Sequence, residues 1–419
     1  MATLRVFYDD QVVGQLSDRA PSLEFEYDEG WLSSGIGFPI SVSLPLRRGK
    51  RPGQFFSNLL PEGSARETIT NRLRIAYDDD FALLTALGGE CAGALTLLPP
   101  DQAPDAVDSR AQELPLRELE LLARSGDYAA KENAERTRLS LAGAQDKLPV
   151  IVDRGRFYLP LGNTPSTHLL KFENPRFWQL PANEAFTTQL FRELGLRTVT
   201  ASLCRFDAWD QRRSACCVTR YDRPRDGRRT TRLHQEDMCQ ALGYTNREKY
   251  EDHGGPNFTQ VYDCLRRESK EPLVDGRALL DWWLLCWLCG NADGHAKNLS
   301  FLYHPQPNAV PGRPRLAPFY DLVCTRAYPG LDRRLATRIG NENDPGQIAT
   351  KHLHGAASAL RVGARFLTDR ARTLALALPD AAERVRQRQE ELHGQQGIYD
   401  NIVRAIRKQA RRSARLLAG

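Results

Sequence analysis

An aspartate and an asparagine five positions apart stand in the segment Asn291-Ala-Asp-Gly-His-Ala-Lys-Asn298, between an apolar run and a strand-like stretch. On a short loop, Asp293 could accept the proton of an attacking hydroxyl while Asn298 binds a magnesium ion. A second carboxylate, Asp321, follows in Phe319-Tyr-Asp-Leu-Val323. Magnesium prefers oxygen ligands from one or two carboxylates plus phosphate, so this set indicates phosphoryl transfer.

Taken alone, an aspartate with an asparagine five positions later is more often an ordinary turn. The helix–loop–strand context and the downstream Asp321 favour the catalytic interpretation, because protein kinases place a base and two magnesium ligands in this order. In that scheme Asp293 is the catalytic base, and Asn298 and Asp321 hold the metal.

A segment rich in small residues, Ser140-Leu-Ala-Gly-Ala-Gln-Asp-Lys147, is the candidate for binding phosphate. Its backbone can approach a ligand closely, so successive N–H groups could cradle phosphate oxygens, although neither the Walker A nor the kinase Gly-rich pattern matches it. Lys147 could reach a phosphate. Lys171 ends the strand-like Thr167-His-Leu-Leu-Lys171, and Glu184 in the next helix could orient it; an exposed strand-end lysine is the alternative interpretation.

The elements that position these residues form a strand-rich part followed by a helix-rich part. Strands are predicted at 4–8, 11–14, 40–46, 93–98, 148–152, 156–161, 168–172, 198–205, 215–221, 298–303 and 318–322. Helices are predicted at 55–60, 65–75, 80–87, 182–194, 236–242, 258–267 and 277–289. This order is typical of two-lobed phosphotransferases, so we expect an α+β, protein-kinase-like fold with an N-terminal β-rich subdomain and a helical C-terminal lobe.

Four segments are expected along the chain. They are an N-terminal α+β subdomain at 1–100, a linker and helix at 101–139, a strand-rich nucleotide-binding part at 140–232, and a helical catalytic lobe at 233–419.

The composition of the 419 residues is that of an ordinary globular protein, with 41% hydrophobic and 26% charged residues. These values exclude a mostly disordered chain, a collagen and a coiled-coil rod. No apolar run is long enough for a membrane helix, and the start MATLRVFYDD has no secretory pattern. We therefore expect a cytoplasmic protein with no membrane partner.

The nine cysteines are interpreted as reduced thiols, most of them in apolar surroundings. Cys286-Leu-Trp-Cys289 has metal-ligand spacing and His295 lies close by. The surrounding tryptophans nevertheless favour core packing over a zinc or redox site.

The net charge of +6 is a mild excess, but its distribution is uneven. After Asn401 the chain contains basic residues and no acid, beside apolar residues at helical spacing. The basic residues are Arg404, Arg407, Lys408, Arg411, Arg412 and Arg415. Either a solvated surface helix or a phosphate-facing patch would have this pattern.

The combination of motifs resembles the HipA family, the serine/threonine kinase toxins of bacterial toxin–antitoxin modules. The resemblance covers nearly the whole chain, and Gln235–Gln240 and Asp293–Asn298 are its most specific parts. The matching segments are Ser43–Leu46, Phe56–Pro61, Gly93–Leu97, Ser140–Lys147, Thr167–Lys171, Asn183–Ala185, Arg220–Arg223, His234–Gln240, Asp293–Asn298 and Tyr320–Leu322.

The resemblance implies a site for ATP and Mg²⁺. Thr219–Tyr221 would form the hinge against adenine, although Thr219 stands where an acid can occur, and Gln235 would lie near the site. Ser140 would be autophosphorylated, which switches the kinase off because the added charge repels ATP phosphates. The implied ATP-binding residues are Ala142, Gly143, Ala144, Gln145, Asp146, Lys147, Lys171, Thr219, Arg220, Tyr221, His295, Ala296, Lys297, Asn298, Tyr320, Asp321, Leu322 and Val323.

The family also implies partners. These are a HipB-like helix-turn-helix antitoxin that binds operator DNA together with the kinase, and a protein substrate among the aminoacyl-tRNA synthetases, such as glutamyl-tRNA synthetase. Blocking such an enzyme arrests growth. Basic residues in 401–419 and in Arg47-Arg-Gly-Lys-Arg51 are candidate DNA-side surfaces. A small-molecule or lipid phosphotransferase, and a catalytically silent subunit of a DNA-bound repressor, remain as alternative functions.

Overall fold

The computed structural model describes residues 2–19, 22–89, 91–104, 111–125, 147–162, 164–174, 176–206, 214–227, 229–305 and 311–418. The strands are β1 (Thr3–Tyr8), β2 (Gln11–Arg19), β3 (Ser22–Tyr27), β4 (Arg51–Pro52), β5 (Leu95–Leu98), β6 (Ala111–Glu113), β7 (Lys147–Asp153), β8 (Arg156–Pro160), β9 (His168–Phe172), β10 (Ala201–Arg205), β11 (Ser214–Thr219), β12 (Arg225–Asp226), β13 (Arg229–Thr230), β14 (Gln235–Asp237), β15 (Ser300–Leu302) and β16 (Arg315–Leu316). The helices are α1 (Glu29–Ser33), α2 (Gln54–Ser57), α3 (Gly63–Leu73), α4 (Asp80–Leu87), α5 (Leu116–Ser125), α6 (Leu180–Glu193), α7 (Met238–Leu242), α8 (Phe258–Glu268), α9 (Pro272–Cys289), α10 (Thr350–Leu360), α11 (Ala364–His393) and α12 (Gly397–Ala418).

The chain divides into two compact units, each built from several stretches of sequence. The first unit contains Met1–Phe172, Val218–Arg247 and Ser300–Arg315. The second contains Glu173–Cys217, Glu248–Leu299 and Leu316–Gly419. The division into four consecutive segments stays a prediction.

The N-terminal part of the first unit is an antiparallel sheet in the order β4-β3-β2-β1-β5. Alternation along β1 buries Leu4 and Val6 on one face, as the period of a half-buried strand requires. Behind that face lies an apolar core with several aromatic rings; Phe25 meets Tyr27 edge-on at 4.9 Å between ring centroids. Each fully buried side chain of this size contributes about 1.5–3 kcal/mol, so the core holds the sheet together.

The segment 40–46, predicted as a strand, is instead a turn. The Leu44 N–H donates to Ser41 O at 3.0 Å, and Pro45 has no N–H to give to a ladder. Ser41 Oγ also donates to the carboxylate of Glu236 at 2.5 Å. Ser43 Oγ donates to Gln240 O at 2.6 Å. The strand prediction was therefore wrong, because distant groups bind the two serines that produced the alternation.

Glu236 is fully buried in the first unit. Burial raises its pKa to about 7, although hydrogen bonds from Ser41, Tyr303 and the Val42 N–H act in the opposite direction. These donors explain how an acid can be accommodated in the apolar interior, since a buried carboxylate needs partners.

Other predicted elements also differ from the structure. The helix predicted at 236–242 begins only at Met238, because Asp237 caps it: Asp237 Oδ1 accepts from Gln240 N, and Gln240 Oε1 accepts from Asp237 N, both at 2.8 Å. No strand spans 318–322 in the described chain; Phe319 forms only an isolated parallel bridge with Thr198.

The second unit is mainly helical and is organised around α9. This helix is apolar on nearly all sides, as expected of a helix inside a core. The Trp287 indole N–H donates to Pro345 O at 3.0 Å. The Arg370 guanidinium of α11 donates to both carboxylate oxygens of Asp281 in α9, at 2.6 and 2.9 Å. Within the described ranges, no helix is long and apolar enough to cross a membrane.

The cysteine pair of α9 is buried in the same core. Cys286 and Cys289 are 5% and 1% exposed, and burial raises the pKa of the Cys286 thiol despite a contact from Asn291. Among the described residues, no group of three or more His, Cys, Asp or Glu side chains could hold a metal ion. The two thiols therefore fill space in the helix core.

Candidate active site

The loop after α9 is held by its own polar groups. Asn291 Oδ1 accepts from the Asp293 N–H at 3.1 Å, and Asn298 Nδ2 donates to Asp293 O at 2.8 Å. The His295 N–H donates to the same carbonyl at 2.9 Å, and a short 3₁₀ turn, Ala296–Asn298, completes the loop. The backbone of Asp293 is thus fixed from both sides, while its side chain remains 49% exposed.

Two further hydrogen bonds join this loop to the segment that carries Asp321. The Ala292 N–H donates to Thr325 Oγ1 at 2.9 Å, and the Tyr320 hydroxyl donates to Lys297 O at 2.7 Å. The second unit therefore brings together the segments of the predicted base and of both predicted metal ligands. Carboxylate and amide oxygens are the ligands that magnesium accepts, so the residues present fit this ion.

Asp321 itself has a left-handed backbone, with φ of 57°. Among residues other than glycine, aspartate and asparagine adopt this conformation most readily, yet it still costs free energy that the surroundings must supply. Phe319 stacks on Trp282 at 5.9 Å between ring centroids on one side. On the other side Asn183 of α6 donates to Cys324 O at 3.0 Å and accepts from Cys324 N at 2.9 Å. The position of Asp321 is therefore set by tertiary contacts.

Tyr250 is a site residue that the sequence did not reveal. Its hydroxyl donates to the Asp293 carboxylate, and its ring lies edge-on to His295 at 5.0 Å between centroids. His295 Nε2 lies 3.8 Å from the same carboxylate oxygen. Only the fold brings Tyr250, from the segment before α8, to this position. The carboxylate of the predicted base is consequently oriented by a hydroxyl donor.

Replacing Tyr250 with phenylalanine is expected to lower kcat about tenfold and to change KM for ATP less than twofold. A tenfold change corresponds to about 1.4 kcal/mol, close to the lower end of what a hydrogen bond to a charged group contributes. Steady-state kinetics and thermal melting measure both effects. Tyr262→Phe, which removes a hydroxyl from α8, is the control. An unchanged kcat in Tyr250→Phe would show that the hydroxyl does not orient the base.

In the first unit, the register of β7 and β9 places Lys147 directly opposite Lys171. Residues directly opposite in an antiparallel pair share a face, and like charges there are unfavourable unless an anion offsets them. Lys171 is only 6% exposed. Two ammonium groups on adjacent strands suit the oxygens of a polyphosphate. Glu184 belongs to α6 of the second unit and is buried, and its predicted pairing with Lys171 stays a prediction.

The predicted hinge begins at Thr219, the last residue of β11. The Arg220 N–H donates to Thr167 O at 2.9 Å, and the Tyr221 hydroxyl donates to Gln235 Oε1. Burial raises the pKa of the Tyr221 hydroxyl, so it remains a donor. The first unit therefore does bring Gln235 to the hinge.

Two family profiles match the chain: the HipA N-terminal domain at residues 4–98, and the HipA-like C-terminal domain at 139–410. The serine/threonine-protein kinase toxin HipA of Shewanella oneidensis is 30% identical over 404 residues, which cover 91% of this chain and 89% of that protein.

The chain belongs to the HipA family.

Two further similarities extend along the chain. Y4mE of Sinorhizobium fredii, named as a candidate kinase, is 37% identical over 406 residues. The aligned region covers 93% of this chain and 93% of that protein. The solved complex of HipA, HipB and operator DNA from Shewanella oneidensis has a TM-score of 0.81 and 26% identity, over 99% of this chain and 98% of that one. These findings confirm the HipA resemblance and the mixed α+β, kinase-like fold, and they support a kinase-like enzyme.

Not every residue predicted for this HipA-family site can be placed. Ser140, Ala142, Gly143, Ala144, Gln145 and Asp146 lie outside the described residues. Ala296, Lys297 and Leu322 are buried in the second unit, and Val323 is half-buried. Besides Tyr250, the sequence did not reveal that Asn183 fixes the segment after Asp321, although Asn183 lies in one of the segments that match the family.

Proposed function

We propose that this chain is an ATP- and Mg²⁺-dependent serine/threonine kinase that acts as the toxin of a toxin–antitoxin module. The observation that carries the proposal is the loop after α9. Its hydrogen bonds fix the backbone of Asp293. The carboxylate is half exposed and accepts a hydrogen bond from the Tyr250 hydroxyl. A general base needs this combination of fixed position and access.

In the proposed reaction, Asp293 takes the proton of a seryl or threonyl hydroxyl as the oxygen attacks the γ-phosphorus of ATP. The bond from that phosphorus to the bridging oxygen breaks, and ADP leaves. Asn298 and Asp321 would hold Mg²⁺, which offsets the negative charge of the phosphates. Lys147 and Lys171 would bind phosphate oxygens.

Regulation and partners follow from the family. Phosphorylation of Ser140 would add a charge of about −1.5 to −2, which is incompatible with ATP phosphates nearby and would silence the kinase. A HipB-like antitoxin and operator DNA are the proposed partners, as in the Shewanella complex. The proposed substrate is an aminoacyl-tRNA synthetase, with glutamyl-tRNA synthetase as the first candidate.

The basic helix α12 has a defined place in the second unit. Its apolar side, including Val403, Ile406 and Ala410, is buried, which confirms the predicted amphipathic helix. Arg407 donates to Glu383 at 3.0 Å. Most of the other basic side chains of α12 remain exposed, so a DNA-side role for this helix is part of the proposal.

The proposal is tested by incubating the purified chain with labelled ATP and Mg²⁺, alone and with purified synthetases. Label is expected on Ser140 and on a synthetase, and chelation of Mg²⁺ should abolish both. Ser140→Ala should remain active for longer because it cannot silence itself. Label on a metabolite instead of protein would indicate a small-molecule phosphotransferase, and the absence of any ATP-induced thermal shift would indicate a silent subunit.

A further inference from the structure

A buried anion lies directly after the predicted hinge in the first unit. Asp222 is 3% exposed, and Arg220 Nε and Nη2 donate to its carboxylate at 3.0 and 2.8 Å. Arg223 Nη1 donates at 2.8 Å. Burial pushes the pKa of Asp222 upward, but the two guanidinium groups outweigh it and hold the pKa well below the usual range. Asp222 is therefore a charged anchor for the side chain of a hinge residue.

The N-terminal segment 91–93, which precedes β5, supplies the remaining partners of this cluster. The Gly93 N–H donates to Asp222 Oδ2 at 2.9 Å. Cys91 O accepts from Arg223 Nη2 at 3.0 Å and from Arg220 Nη2 at 3.4 Å. The segment 91–93 thus provides a hydrogen-bond donor to the Asp222 carboxylate and an acceptor for the two arginines that bind it.

The surroundings of Gly93 leave little room for a side chain. Its φ is +80°, and a Cβ added there would lie 3.1 Å from Gln235 N and 3.2 Å from Gln235 O. The Gln235 side chain accepts the hydrogen bond from the Tyr221 hydroxyl. Gly93 therefore contacts two residues that bind the hinge: Asp222, which holds the Arg220 side chain, and Gln235, which binds the Tyr221 hydroxyl.

We propose that the segment 91–93 positions the nucleotide hinge, and that Gly93 is a positioning residue for ATP binding. The inference rests on the proposed function, because it takes Thr219–Tyr221 as the surface that meets adenine. The hydrogen bond from the Arg220 N–H to Thr167 O fixes the hinge backbone, and the Asp222 carboxylate binds the Arg220 side chain. A displaced segment 91–93 would move Asp222, turn Arg220 and shift the peptide groups on either side of it. The N-terminal part of the chain would then control nucleotide affinity without touching the nucleotide.

The chain offers a matched pair of glycines for the test. Gly155, in the turn between β7 and β8, has φ of +78° and nothing within 4 Å of an added Cβ. Gly93→Ala and Gly155→Ala introduce the same backbone strain, but only the first creates a steric conflict with Gln235. Isothermal titration of each full-length protein with ATP and Mg²⁺ measures Kd, and thermal melting without nucleotide measures stability.

We expect Gly93→Ala to bind ATP about tenfold more weakly than wild type, equivalent to about 1.4 kcal/mol, and to raise KM for ATP while kcat at saturation changes little. Gly155→Ala should bind ATP as wild type does. A purely structural role of Gly93 would lower the melting temperature and leave Kd unchanged, which would overturn the inference.

Arg223→Lys is a milder second variant if Gly93→Ala does not fold. Lysine keeps the charge but cannot bridge Cys91 O and Asp222 as the planar guanidinium does, so we expect about threefold weaker ATP binding. Wild-type Kd in every variant that folds would overturn this inference alone. A wild-type chain that does not bind ATP would overturn the proposed function, and this inference with it.

Discussion

Asp293→Asn is expected to lower kcat for protein phosphorylation by about a thousandfold, which lies within the range that general base catalysis contributes. The amide cannot take up the proton of the attacking hydroxyl, whereas its size and shape match the carboxylate. The substitution leaves in place the backbone contacts of this residue to Asn291, His295 and Asn298, and the amide oxygen can still accept from the Tyr250 hydroxyl. The melting temperature should therefore stay close to that of wild type.

The measurement is the initial rate of label transfer from ATP to a synthetase, with ATP affinity and melting temperature determined on the same preparations. Asp263→Asn, which changes an exposed carboxylate on α8 of the same unit, is the control and should retain full activity. Equal rates for Asp293→Asn and wild type would refute the role of Asp293 as base. Growth arrest on expression should be lost together with the activity.

Asp321→Asn is expected to lower kcat by at least about a hundredfold and to raise the Mg²⁺ concentration needed for half-maximal rate. A bound metal ion contributes several kcal/mol to such reactions, and each 1.4 kcal/mol is a factor of about ten. Asparagine tolerates the left-handed backbone at this position as aspartate does, so the charge is removed without new strain.

Asp321→Ala separates the charge from the backbone conformation. Alanine adopts a left-handed backbone less readily, so this variant should lose activity to a similar extent but also melt at a lower temperature than Asp321→Asn. Magnesium titrations of the rate, together with melting curves, distinguish the two effects. A wild-type magnesium dependence in Asp321→Asn would exclude this residue as a metal ligand.

The sequence predicted the loop at 291–298 because its information is local. The spacing of Asp293 and Asn298, and the apolar run before them, determine that a loop follows a buried helix. The same holds for α4, predicted at 80–87 and found at Asp80–Leu87, and for β9, predicted and found at 168–172. In each case the signal is a short-range periodicity that ends at a turn or cap.

The failures have a different origin. The alternation at 40–46 predicted a strand, but Ser41 donates to Glu236 and Ser43 donates to Gln240 O, and both partners lie far along the chain. Likewise, in 318–322 Phe319 stacks on Trp282 and forms only an isolated bridge with Thr198, and Asn183 binds the backbone of Cys324 just beyond the segment. A buried polar group takes whichever partner the fold supplies, and a local pattern contains no information about that partner.

The sequence by itself determined which residue types are available for chemistry: a candidate base, two candidate oxygen ligands for magnesium, and two lysines. It also determined the family to which the chain belongs. Only the tertiary structure decided that Tyr250 donates to Asp293, that Lys147 faces Lys171, and that Gly93 meets Asp222. The physical reason is that hydrogen bonds and close contacts act over a few ångströms in space. Which distant residues come within that range depends on how the whole chain packs.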